Sequence, residues 1–166
     1  CRGKRRLHGR VYQTAIGIYQ GSDGCRLRTL ILKLLFVHQN FPGQFLHLAP
    51  EMQRRGHDVR AIADAANSPG SVVPVTTYRH SPQTVDPKAT RLGRTYTAMS
   101  DRGVDVARVA RSMREQGYVP DVIFGHSGWG ETLFLKEIWP EARLLVYAEF
   151  YYRGRGADAG FDAEFH

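Results

Sequence analysis

Asp121-Val-Ile-Phe-Gly-His-Ser-Gly-Trp-Gly130 gathers the side chains of this chain best suited to chemistry. His126 can donate or accept a hydrogen bond, Ser127 brings a hydroxyl, and Trp129 offers an apolar face. Gly125, Gly128 and Gly130 let backbone N–H groups come close to a ligand. Similar types recur upstream in Leu34-Leu-Phe-Val-His-Gln-Asn-Phe-Pro-Gly43, where His38 and Gln44 stand beside Phe41 and Gly43. Phe41 and Phe45 read as hydrophobic anchors or core. Glu149, a carboxylate among aromatic residues, suits a substrate hydroxyl.

Two chemistries fit the downstream turn. Gly125-His-Ser-Gly-Trp129 approaches the Gly-x-Ser-x-Gly of a nucleophile elbow, with Ser127 as nucleophile. Trp129 takes the place of the second glycine, and Asp158, Asp162 and His166 follow in the order a hydrolase would use. The other chemistry is ligand binding: His126 meets a sugar hydroxyl, Trp129 lies against a sugar ring, and a helix starting near Gly130 receives an anionic or hydroxyl-rich group. A plainer reading has the glycines making only a tight turn and Trp129 packing on a sheet edge. Histidines at strand ends are also often structural, which applies to His38. Arg153 and Arg155 could hold an anion, although loop arginines are commonly just solvated.

These residues need a scaffold that brings distant turns together. Ile31 to Val37 is a near-continuous apolar run, as a strand buried on both faces requires. Phe45, Leu48, Ala49 and Met52 repeat at helical spacing around Pro50, and Gly56 ends that pattern. Strands are predicted over Val59–Ala63, Val72–Tyr78, Val122–Phe124 and Leu144–Tyr147. A long helix is predicted from Leu92 to Gln116, with Leu92, Tyr96, Met99, Val106, Ala110 and Met113 as its buried stripe. A further helix is predicted over Glu131–Ile138. Strands alternating with helices predict an α/β fold with a Rossmann-like, doubly wound parallel sheet. Such sheets bind ligands at the carboxyl ends of their strands.

Charge narrows the partners. The net charge is +7, but residues 1–32 hold seven of the 23 basic residues and only one of the 16 acids. The remainder is nearly neutral, so nucleic acid is not the indicated partner. Residues 1–31 read as a poorly structured basic extension and residues 32–166 as the domain; the extension leaves peripheral membrane contact open. Cys1 and Cys25 both fall in the extension, and neither a disulfide framework nor a metal-ligand spacing is visible, which favours a reducing, cytoplasmic setting. No apolar run approaches the roughly 18 residues of a membrane span.

Three segments carry a family likeness: Lys33-Leu-Leu-Phe-Val-His-Gln-Asn-Phe-Pro-Gly-Gln-Phe45, Arg55-Gly-His57, and Pro120-Asp-Val-Ile-Phe-Gly-His-Ser-Gly-Trp-Gly-Glu-Thr-Leu-Phe-Leu-Lys136. With Glu149-Phe-Tyr-Tyr-Arg153, Gly156-Ala-Asp158 and Gly160-Phe-Asp162, they resemble the N-terminal domain of glycosyltransferase family 4 proteins across residues 32–166. The resemblance implies one half of a GT-B architecture, in which two Rossmann-like domains face each other across a cleft. It implies sugar transfer from a nucleotide-sugar donor to a saccharide or lipid-linked acceptor hydroxyl, with retention and without a cofactor or metal. The acceptor side would use Gly43 with its neighbours, and His126 with Ser127 and Gly128; the chemistry of the residues themselves adds His38, Phe41, Gln44, Trp129 and Glu149 as candidates for substrate contact. His126 is the candidate nearest to catalysis.

The family's Glu-x7-Glu helix belongs to the donor half. Glu141 and Glu149 match that spacing only by accident, because one lies in a loop and the other follows a strand. A chain without the donor half is expected to be inactive alone. The alternatives are a serine hydrolase using Ser127 and a non-catalytic Rossmann-like nucleotide- or sugar-binding module.

Overall fold

The structure is a computed structural model that describes residues 30–67, 70–80 and 88–149. Expectations for Arg153, Arg155, Asp158, Asp162 and His166 lie outside these residues, as does nearly all of the basic extension. Five parallel strands form one sheet: β1 (Lys33–Val37), β2 (Asp58–Asp64), β3 (Val75–Tyr78), β4 (Val122–His126) and β5 (Arg143–Tyr147), in the order β3-β2-β1-β4-β5. The order reverses between β1 and β4. That is where a doubly wound sheet opens a crevice at its carboxyl rim.

The apolar run of β1 has a direct structural cause. Successive side chains point to opposite faces, and both faces are covered. Leu34 and Phe36 join Phe41, Phe45 and Ala49 on the side of α1 (Leu48–Arg54). Leu35 and Val37 join Val106, Ala110 and Met113 of α2 (Arg91–Glu115), with Leu135 and Ile138 of α3 (Leu135–Ile138). Each such buried Leu, Ile, Val, Phe or Met side chain contributes about 1.5–3 kcal/mol relative to exposure. Polar tips within this core are satisfied: Trp139 Nε1 donates to the Tyr118 carbonyl at 3.1 Å, and Tyr118 OH donates to the Leu34 carbonyl at 3.3 Å. At the edge, Leu145, Val146 and Tyr147 of β5 stay about half exposed.

Three expectations need correction. Leu92 and Tyr96 do not belong to the buried stripe of α2; they are 79% and 71% exposed. A 25-residue helix spans about 37 Å, whereas a five-residue strand spans only about 17 Å, and the buried positions of α2 begin at Gly103. Secondly, the helix expected over Glu131–Ile138 is regular only over Leu135–Ile138. The preceding residues close tight turns through Leu133 N to Gly130 O at 3.1 Å and Leu135 N to Thr132 O at 3.4 Å. No helix therefore begins near Gly130 to receive an anion. Thirdly, Phe41 is not a cleft residue: it is 1% exposed and packs on Phe36.

Candidate functional site

Register brings the two histidine turns together. Val37 pairs with Gly125, so His38 and His126, the next residues along β1 and β4, stand side by side. Their ring centroids are 5.7 Å apart and their planes nearly perpendicular at 87°. Both residues are buried.

The two rings are held by the same device. His38 Nδ1 accepts the Asn40 N–H at 3.0 Å, and His126 Nδ1 accepts the Gly128 N–H at 3.0 Å. An amide N–H can only donate, so each Nδ1 carries a lone pair and each neutral ring keeps its hydrogen on Nε2. Neither buried Nε2 has a hydrogen-bond partner among the described residues. The crevice therefore holds paired N–H donors, which leaving unused is costly. Burial holds the His38 pKa below its ordinary value of 6.5, with the neighbouring His126 acting the same way and Glu149 opposing.

Close backbone approach fixes both rings. Gly43 has φ +44°, and a Cβ there would lie 2.8 Å from His38 Cε1, so any other residue is both strained and in collision. A Cβ on Gly128 would lie 3.1 Å from His126 Cε1. Gly130, at φ +96°, brings its turn against the Met99 carbonyl of α2 where a Cβ would not fit.

Glu149 stands at the mouth of the crevice. Its Oε1 accepts from Gln44 Nε2 at 2.7 Å and lies 3.4 Å from His126 Nε2. The second contact has ion-pair distance without hydrogen-bond geometry. Trp129 is 41% exposed, and its ring lies 6.1 Å from that of His126 at an angle of 29°. His38, Gly43, Gln44, His126, Gly128, Trp129 and Glu149 thus share one rim. Ser127 is exposed beside them, but its Oγ donates to the Tyr147 carbonyl at 3.4 Å rather than to an imidazole. The strained backbone of a nucleophile elbow is also missing, since no non-glycine residue among those described has positive φ.

One residue of this site escaped the sequence reading. Glu131 is 1% exposed, and its Oε1 accepts the Gln39 N–H at 3.1 Å, tying the turn after β4 to the turn after β1. Its Oε2 is buried without a partner. Burial raises its pKa above the ordinary 4.5, while its own backbone N–H, Arg102, the Gln39 N–H and His126 oppose that rise. Arg102 also secures the turn from α2 by donating to the Trp129 carbonyl at 3.2 Å. A glutamate after a glycine turn reads as a helix's first residue, so nothing in the sequence signals its burial. Glu141 and Glu149 flank opposite ends of β5 and share no helix face.

A cavity of about 560 Å³ lies elsewhere, between α2 and α3, lined by Val104, Ala107, Phe134 and Ile138 among others. It includes none of the rim residues. Among the described residues, no three His, Cys, Asp or Glu side chains come together to hold a metal ion, and no helix is long and apolar enough to cross a membrane.

A sequence model of the Glycosyl transferase family 4 group matches residues 55–166, more than half of the chain. The chain belongs to that family. The matched span begins just after α1 and includes the His126 turn, Glu131 and Glu149. The His38–Phe45 turn precedes the span, and the sheet register brings it beside the His126 turn. A search of the curated proteins finds no match.

Proposed function

We propose that this domain is the acceptor side of a retaining glycosyltransferase of the cytoplasm. The enzyme would move a sugar from a nucleotide-sugar donor to a hydroxyl of a saccharide or lipid-linked acceptor. The observation that carries this reading is the pair of unpartnered Nε2–H groups of His38 and His126 at the sheet's switch point. Hydroxyl oxygens accept from such donors. Glu149 and Gln44 suit the hydroxyl hydrogens, and Trp129 gives a sugar ring an apolar face. Glu149 would turn from His126 toward the incoming hydroxyl.

In a GT-B arrangement the nucleotide-sugar is held by a facing domain, which supplies most of the electrostatic stabilisation of the leaving group. Neither a cofactor nor a metal is required by this reading. The basic extension gives the domain a means of peripheral contact with anionic lipid, where a lipid-linked acceptor would reside.

The test is titration of the chain with a panel of methyl glycosides, followed through the imidazole nitrogen resonances. Binding should move the Nε2 signals of His38 and His126. His126→Phe keeps a ring but removes the donor, and should weaken binding about tenfold. Unchanged affinity in that variant, or shifts that avoid both rings, would remove the support for the proposal.

A further inference from the structure

A third histidine stands at the same rim with its hydrogen placed the other way. His80 follows β3 by two residues, and its Nδ1 lies 3.1 Å from Asp105 Oδ2 on α2. A carboxylate only accepts, so Nδ1 carries a hydrogen, and in the neutral ring the lone pair is on Nε2. Both side chains are about nine-tenths buried, at 10% and 12% exposure. Arg108 donates to the other oxygen of Asp105 at 2.7 Å. Asp105 is thus engaged through both oxygens, and the imidazole is held in one orientation, as carboxylate–histidine pairs do in binding and catalytic sites.

His80 lines a cavity of about 360 Å³ with Asp64, Ala65, Ala66 and Arg79. The volume lies in the range of small-molecule pockets. Asp64 is 8% exposed, and its Oδ1 accepts the Ala66 N–H at 3.0 Å, which fixes the carboxylate in the cavity wall. Arg79 is exposed and makes no ion pair among the described residues. The wall therefore offers two fixed acceptors, from His80 and Asp64, and one adaptable cation. The other two lining residues are alanines.

Fixed acceptors call for hydroxyl donors, and a guanidinium calls for a phosphate or carboxylate. We propose that this cleft at the carboxyl ends of β2 and β3 is a second ligand site, separate from the histidine crevice, for a phosphorylated sugar. Hydroxyls would donate to His80 Nε2 and the Asp64 carboxylate, and the phosphate would pair with Arg79. The inference does not rest on the acceptor role of the crevice, because it uses other residues and the opposite hydrogen placement.

The experiment is titration of the isotopically labelled 166-residue chain with glucose 6-phosphate, with glucose and inorganic phosphate as separate arms. Saturable shifts are expected at the Asp64–Ala66 and Arg79–His80 amides and at His80 Nε2. Glucose 6-phosphate should bind about tenfold or more tightly than either separate arm. Arg79→Gln, at an exposed position that should not disturb the fold, should remove that advantage. His80→Phe should weaken the sugar phosphate about tenfold and leave the phosphate arm unchanged. The proposal is overturned if inorganic phosphate binds as tightly as the sugar phosphate, if Arg79→Gln changes nothing, or if the shifts fall elsewhere.

Discussion

The histidine crevice and the His80 cleft use one side chain in opposite senses. In the crevice, His38 and His126 each receive a backbone N–H two residues ahead, and each is left with an Nε2–H donor. In the cleft, His80 gives its Nδ1 hydrogen to Asp105, 25 residues away on α2, and is left with an Nε2 acceptor. A purely local turn decides the first case, and a tertiary contact decides the second. The same imidazole thus becomes a donor or an acceptor of hydroxyl hydrogen bonds according to what reaches its other nitrogen.

The largest effect should come from Gly43→Ala, which breaks the crevice and spares the cleft. The new methyl meets the His38 ring and holds a positive φ, for a combined cost of about 3 kcal/mol. Chemical denaturation should show that loss, and the His38 and His126 resonances should move while those of His80 do not. Equal stability, or matching changes at His80, would show that the two regions are not independent.

A smaller effect, about 2 kcal/mol, is expected for Glu131→Ala, which leaves the half-buried Gln39 N–H without its acceptor. Glu131→Gln keeps an acceptor and removes the charge. Because burial raises the Glu131 pKa, its contribution is fully present below the unfolded value near 4.5 and is lost as pH rises through the folded value. The stability of the native chain relative to Glu131→Gln should therefore fall from acid toward neutral pH. A difference that grows with pH would contradict the burial argument. The smallest effect belongs to Ser127→Ala, within about 0.5 kcal/mol in stability and with saccharide binding retained. Loss of binding in that variant would return Ser127 to the centre of the site.

Much of the scaffold was legible because it rests on periodicities that neighbouring residues set for themselves. The near-continuous apolar run of β1 forecasts burial on both faces, and Pro50 falls in the first turn of α1, where a missing N–H costs least. Thr90 caps α2 by accepting the Gly93 N–H at 3.1 Å, so the helix begins at Arg91, one residue before the predicted Leu92. The region around Glu131 was not legible. Its pattern fits a helix, but Thr132 lies against Gly125, and Glu131 turns inward to reach Gln39. The site residues divide similarly: glycines and histidines in two turns mark a rim, whereas nothing local separates Phe41, which fills the core, from Trp129, which stays exposed.

The sequence by itself determined the strand and helix alternation, the main helix boundaries and the two glycine–histidine turns, because propensity, capping and turn chemistry act over a few residues. Only the tertiary structure decided which turns meet, which carboxylate lies buried between them and where His80 keeps its hydrogen. Those outcomes depend on sheet order and register, which join groups as far apart as Gln39 and Glu131 or Gln44 and Glu149. Contacts of that kind are set by the packing of the whole sheet and leave no mark on the residues next to them in the chain.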